Sequence, residues 1–389
     1  MNRRLRMSFM LIPRRVRAAA LVAALLAPMT GDAQQSGLLI GLRTRLDVPH
    51  TEGGAIPEYR TLWIAPADAR LAVVTTLPTL VVPRDDGFWR VDIEPSCGIT
   101  EQTMEMEGAF LDSFRTAVWR RWGSARTYAP PDHEMDCSLA LERIRTMVKD
   151  TTGIGGEEGA CNVREIAITY ASPRLASYRM YAAHTEFCSP GRYASRTRLF
   201  VAGPADSVIA GAPDSALSLL QALTPARALA LEKRWTAALT DCTHEDSPDA
   251  NWGIVRGVGE WVTDFSSTGP TACRGDGMAE FDIRERMPAS IARSEPREWL
   301  ARIRHVAPAV DDFFVSPRQD AIAVRTGDTL NFFAPRGAAL GRPLLTYRLR
   351  PAEQVIMVEW AVGSQVARWT KELESGSPEP PHPPARDGR

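Results

Sequence analysis

Lysine is nearly missing from this 389-residue chain: Lys149, Lys233 and Lys371 are the whole complement. Arginine is therefore the working cation, and a cluster such as Arg120-Arg121 reflects residue choice rather than an anion-binding patch. A basic excess is missing too, since 46 basic residues meet 47 acidic ones. Without residues 1–33 the balance is 40 against 46, a net charge near −6. That argues against a nucleic-acid partner, because neutralising phosphates requires a basic face. No apolar run approaches the roughly 20 residues of a membrane-spanning helix, so no transmembrane segment is expected after residue 33. The sequence also lacks H-E-x-x-H, paired C-x-x-C and G-x-S-x-G. Those absences argue against a zinc hydrolase, a structural zinc ribbon and a nucleophile elbow, and no metal or cofactor is expected.

What is present at the N-terminus reads as an export signal. Residues 1–17 carry six arginines and no acid, residues 18–29 form a short apolar run, and Gly31-Asp32-Ala33 supplies small residues at a cleavage site. These are the n-region, h-region and processing site of a signal peptide. The expected location is periplasmic or extracellular. Six cysteines follow in the mature part, an even number suited to an oxidising compartment. Cys242 and Cys273 lie symmetrically about the hairpin near residues 257–258. Cys161 and Cys188 flank two strands that turn at Ser172-Pro173-Arg174, which leaves Cys97 with Cys137. Sequential pairing is the preferred expectation among the 15 connectivities that six cysteines allow.

One motif occurs twice. Residues 82–93 read V-P-R-D-D-G-F-W-R-V-D-I and residues 254–265 read I-V-R-G-V-G-E-W-V-T-D-F, sharing R-x-x-G-x-W-x-x-D. An apolar strand, a polar turn with Gly and a Trp-led strand predict a β-hairpin in each copy. A second echo pairs W-I-A-P-A-D-A-R-L-A-V-V-T at 63–75 with F-V-S-P-R-Q-D-A-I-A-V-R-T at 314–326.

In chain order, residues 34–58 are a lead-in without clear periodicity, and residues 59–93 predict four short strands in a meander. Helical spacing of Phe110, Phe114, Val118 and Trp122 predicts a helix over 101–122, and residues 137–148 predict another. Residues 214–239 predict a helix split at Pro225, with Asp214 as its N-cap. A short strand is expected at 279–283, a helical turn at 296–304, a β module at 313–336 and a strand and turn at 355–369. A disordered Pro-rich tail covers 374–389. The expected fold class is α+β, mainly antiparallel β meanders and hairpins with two or three helices. A β-propeller-like all-β fold with helical insertions is the alternative. The division is 59–160, an N-terminal meander with helices; 161–290, a disulfide-stapled α+β domain; and 291–373, a β module related to 59–93.

Residues 165–283 resemble the secreted α+β domain of lysozyme-sensing anti-sigma factor ectodomains and of peptidoglycan deacetylases. The resemblance rests on I-A-I-T-Y-A-S-P-R-L-A-S-Y at 166–178, Y-A-A-H ending at His184, R-L-F-V-A at 198–202, the long helix and A-E-F-D-I at 279–283. Where that family carries Gly-Gly-Ala before its His, this chain has Ala182-Ala183. The resemblance implies an envelope domain that binds something.

Candidate chemistry is sparse. His133-Glu134 and His244-Glu245-Asp246 lie beside cysteines and read as solvated loop residues. The glycines of 153–159 precede a strand instead of opening a helix, so they predict a turn and no phosphate loop. Glu157 and Glu158 in that segment read as solvated. Arg274-Gly275-Asp276 reads as a chance tripeptide. The candidate binding residues are His184, Trp252 and Trp261. The tryptophans are expected to pack a small sheet, with stacking on a sugar or peptide as the binding alternative. The expected function is non-enzymatic binding or sensing of a cell-envelope protein or glycan. The alternatives are an envelope hydrolase with a dispersed His/carboxylate site, using His184 or His133, and a structural subunit of an envelope complex.

Overall fold

Hairpins with short turns build most of the molecule, and the computed structural model shows how they assemble. It describes residues 36–44, 58–67, 70–102, 108–123, 160–186, 193–204, 217–238, 247–249, 252–266, 280–281, 283–336 and 339–376. Strands β1 (Ser36–Thr44), β2 (Tyr59–Ala67) and β3 (Arg70–Leu77) form one sheet. β4 (Leu80–Arg84), β5 (Gly87–Gln102), β6 (Gly108–Arg121), β7 (Ala160–Ala171), β8 (Leu175–Glu186) and β9 (Tyr193–Pro204) form a six-stranded sheet in sequence order. Helices α1 (Leu219–Ala222) and α2 (Pro225–Ala238) precede a three-stranded sheet of β10 (Trp252–Arg256), β11 (Trp261–Ser266) and β12 (Glu280–Phe281). Helix α3 (Arg297–Val306) leads into β13 (Asp312–Val315), β14 (Ile322–Thr326) and β15 (Thr329–Phe333). A small ribbon of β16 (Pro335–Arg336) and β17 (Ala339–Leu340) follows, and β18 (Leu345–Arg348) completes the β13-β14-β15-β18 sheet. Strand β19 (Glu353–Val362) returns to the first sheet, in the order β19-β1-β2-β3, and helix α4 (Ser364–Ser375) caps it. The fold is α+β. The sheets hold four, three, four, two and six strands, not a series of four-stranded blades, so the propeller-like alternative does not form among the described residues.

Three sequence expectations are corrected. The lead-in holds β1, which is central in its sheet and fully buried from Ser36 to Arg43. A strand covered on both faces has no polar alternation to read. Residues 108–121 are strand, not helix, and so are 101–102 at the end of β5. Positions 110, 114, 118 and 122 are four apart, and a step of four keeps one face in a strand as well as in a helix. Finally, residues 364–375 form helix α4, where the sequence reads as a turn up to 369 and as a disordered tail from 374. Trp369 and Leu373, four apart, bury against Trp63 and Phe88, with ring centroids 5.6 Å and 5.3 Å from Trp369. One pairing also departs from the antiparallel rule, since β6 and β7 run parallel.

The split at Pro225 is as expected. Proline opens α2, where its missing N–H costs nothing. The preceding α1 is capped by Ser218, whose Oγ accepts from the Gln221 N–H and donates to Asp249 Oδ2 at 2.6 Å. Asp214 lies outside the described residues, as do the helix expected at 137–148, the glycines of 153–159 and the tail beyond 376.

Four apolar clusters hold the sheets together. The first sheet packs one face on the six-stranded sheet through Leu39, Trp63, Val81, Phe88, Ile168 and Tyr178, with Trp369 and Leu373 of α4. Its other face packs on the β13–β18 sheet through Ile40, Leu62, Ile64, Phe314, Ala323 and Phe332. The two echoed segments at 63–75 and 314–326 therefore belong to facing sheets. A third cluster joins α1 and α2 to β10 and β11, and a fourth sits under α3.

A candidate anion-binding cavity between the sheets

The two tryptophan hairpins share one interaction although their turns differ. In the first, Arg84 pairs with Gly87 across a two-residue turn. In the second, Arg256 pairs with Trp261 across the four residues Gly257 to Glu260. Yet Arg84 stacks over Trp89 at 5.0 Å and Arg256 over Trp261 at 4.9 Å, a cation–π contact in each copy. In the second turn Gly259 has φ +66°, and a Cβ there would lie 2.2 Å from the Phe313 ring. Glycine is thus required twice over, for backbone conformation and for close approach.

Trp252 and Trp261 are core residues, 2% and 3% exposed. Trp252 pairs with Phe265 at the open end of the hairpin, and Trp261 packs edge-on against Tyr170 at 4.7 Å. Their rings are covered by protein, so neither face is available to stack on a ligand. His184 lies on β8 opposite Asn162 and Ala194; its side chain is outside the described set. Cys97 lies on β5 opposite Ser113, and Cys161 on β7 opposite Leu111. Cys137, Cys188, Cys242, Cys273, His133 and His244 lie outside the described residues.

Behind the second hairpin is a cavity of about 720 Å³ where four sheets meet. The first sheet contributes Arg43 from the end of β1 and Gln354 from the start of β19. The six-stranded sheet contributes Thr169 and Arg179. The second hairpin adds Arg256, Val258 and Asp264, with Arg284 beyond it, and the last sheet adds Asp311, Asp312, Arg325 and Asp328. Val258, 39% exposed, marks the rim.

The far wall is a buried ion pair, in which only Nη1 of Arg256 lacks a hydrogen-bond partner. Arg256 donates from Nε to Asp312 Oδ2 at 2.9 Å and from Nη2 to Oδ1 at 3.1 Å, and both side chains are buried. Asp312 Oδ1 also accepts the Gly259 and Phe313 N–H groups, each at 2.8 Å. This network fixes the hairpin against β13, with Arg256 stacked between Trp261 and Phe314. Arg325 is spent on the carbonyls of Gly327 and Glu353. A second buried pair, Arg60 with Glu353, ties β2 to β19 and includes Tyr347 through a 2.9 Å bond from Arg60 Nη1.

The near wall is different. Arg43 is 7% exposed. Its Nη1 donates to the Ile168 carbonyl at 2.7 Å and its Nη2 to Gln354 Oε1. Its Nε is buried without a hydrogen-bond partner, and Arg43 meets no carboxylate among the described residues. Burial pulls its affinity for the proton down, Tyr59 pushes it up and neighbouring Arg179 pulls it down again. Arg179 reaches Asp264 only at 3.6 Å, and its Nε is likewise buried without a partner. A buried guanidinium with neutral partners only, beside a second guanidinium, is an uncompensated charge.

Two carboxyls in the surrounding core are held towards the protonated form. Glu295 accepts the Val315 N–H at 3.0 Å and is pushed up to about 7 by burial, which outweighs Arg256, that hydrogen bond and Arg293. Glu359, opposite Leu39 on β19, is pushed up to about 8 by burial against the pull of Arg293. The sequence conceals these arginines because arginine is the common cation here. The only local signal was the Arg shared by the two hairpins.

No protein-family model matches the chain, and no curated protein matches it. Among solved structures, one DUF3298 family member from Bacteroides fragilis is 12% identical with a TM-score of 0.26, covering 54% of this chain and 97% of that one. A DUF3298 family protein from Pseudomonas aeruginosa is 9% identical with a TM-score of 0.24, covering 51% of this chain and 90% of that one. At these TM-scores neither likeness carries a functional argument.

Proposed function

We propose that this chain is an exported binding module that takes a cell-envelope ligand, protein or glycan, into the cavity between its sheets and does no chemistry on it. The carrying observation is the cavity itself, about 720 Å³ with a polar lining drawn from four sheets, a size suited to a small molecule or a chain end. Its lining is dominated by fixed hydrogen-bonding groups, with Arg256 held by Asp312 and Arg325 by two backbone carbonyls, an arrangement for recognition more than for proton transfer. The Arg-rich leader with its apolar run and small-residue site supports export, and the even cysteine count supports sequential disulfides in an oxidising compartment. The resemblance of residues 165–283 to envelope-domain proteins supports the same placement.

The test is a binding assay with solubilised envelope fragments from the host, followed by mass spectrometry of the fragments. Saturable binding that Val258→Trp blocks at the rim, with fragments recovered intact, is expected. Binding that Val258→Trp leaves untouched would move the site elsewhere. Cleaved fragments would favour the hydrolase reading, with His184 as the first residue to replace.

A further inference from the structure

We propose that the near wall of the cavity is a carboxylate site, in which Arg43, Arg179 and Gln354 receive the single negative charge of a ligand. This rests on the cavity reading above and names the chemistry of what enters. The five cavity arginines do not contribute equally. Arg256 belongs to Asp312, Arg325 to two carbonyls, and Arg284 has partners of its own. Arg43 and Arg179 remain, with Asp264, 3.6 Å from Arg179, as their one nearby carboxylate among the described residues. The pair therefore carries one positive charge in excess.

The hydrogen-bonding capacity of this wall points the same way. Arg43 Nε and Arg179 Nε are donors without acceptors, as is Nη1 of Arg256, but Arg256 already has its carboxylate in Asp312. Gln354 has turned its Oε1 to Arg43, so its amide N–H groups are what it can still offer. Donors alone suit a group that only accepts, which an ionised carboxylate does. The whole cavity sets five arginines against four aspartates, Asp264, Asp311, Asp312 and Asp328. A monoanion balances that excess, whereas a phosphate dianion would meet the aspartate side. Both orphan nitrogens are buried on residues that line the cavity, and Arg179, 35% exposed, is the more accessible of the two side chains.

The experiment uses the full chain, with acetate as the smallest carboxylate probe. Phosphate and N-acetylglucosamine serve as dianion and neutral controls at matched ionic strength, and the readout is the thermal midpoint followed by tryptophan fluorescence. Acetate is expected to raise the midpoint saturably, and Arg43→Gln to weaken the apparent affinity at least tenfold. Arg179→Gln, at a more exposed position, is expected to weaken it in the same direction and keeps the test decisive should Arg43→Gln fail to fold. No saturable response to acetate, an equal response in Arg179→Gln and wild type, or a stronger response to phosphate would each overturn the proposal. If envelope fragments bind Arg43→Gln as well as wild type while Val258→Trp blocks them, the cavity reading survives and the carboxylate assignment falls.

Discussion

Glu359→Gln tests how this fold responds to pH. In the unfolded chain this carboxyl titrates near its ordinary 4.5, and in the folded protein burial raises it to about 8. Because the folded state holds the proton more tightly, stability is undiminished below pH 4.5, falls as pH rises through the window between the two values, and is constant above about 8. Each tenfold difference in proton affinity is about 1.4 kcal/mol, so the full span corresponds to about 4 to 5 kcal/mol. Glu359 keeps part of its surface in contact with solvent, which screens the charge and brings the expected loss to about 2 to 3 kcal/mol. Urea unfolding at pH 5 and pH 8.5 measures it. Wild type is expected to lose stability towards pH 8.5, and Glu359→Gln, which cannot ionise, to lose about 2 to 3 kcal/mol less, with an unchanged m-value. Equal pH slopes in the two proteins would refute the reasoning, as would a wild-type midpoint that rises from pH 5 to pH 8.5. Glu295, raised to about 7, leaves a residual slope in the variant, to be removed by Glu295→Gln.

Other substitutions probe the second hairpin and the helix cap. Gly259→Ala forces a side chain onto φ +66° and into the Phe313 ring; a loss of about 2 to 4 kcal/mol is expected from strain and overpacking, and a thermal midpoint within a degree of wild type would contradict it. Asp312→Ala leaves Arg256 buried without its partner, with an expected loss of about 3 to 5 kcal/mol in urea unfolding. Ser218→Ala removes the cap of α1 and should cost about 1 kcal/mol, which the same measurement checks.

Much of the fold was legible where local chemistry decides it. Asp85-Asp86 with Gly87 turns the first hairpin, Pro225 divides the helices, and Gly259 marks the second turn. β1 was illegible because both of its faces are buried, so L-L-I-G-L shows no alternation. The strand β6 was misread because its large apolar residues fall four apart, a spacing that both periods satisfy. The cavity was illegible for another reason. Arg43, Arg179, Arg256 and Arg325 are scattered over nearly 300 positions of sequence, and only the meeting of four sheets gives two of them a common, uncompensated charge.

The pairing of β19 with β1 has a consequence in time. Ser36 meets Val362, and Leu39 meets Glu359, so β1 waits for a strand that is synthesised long after it. Until then β1 has one open edge and its leucines have half a core, and the nascent chain cannot lock. Folding of the first sheet therefore follows the synthesis of β19, slow by its loop-closure distance. A chain that stops short of Glu353 would leave an exposed, apolar central strand, a substrate for proteases and for self-association.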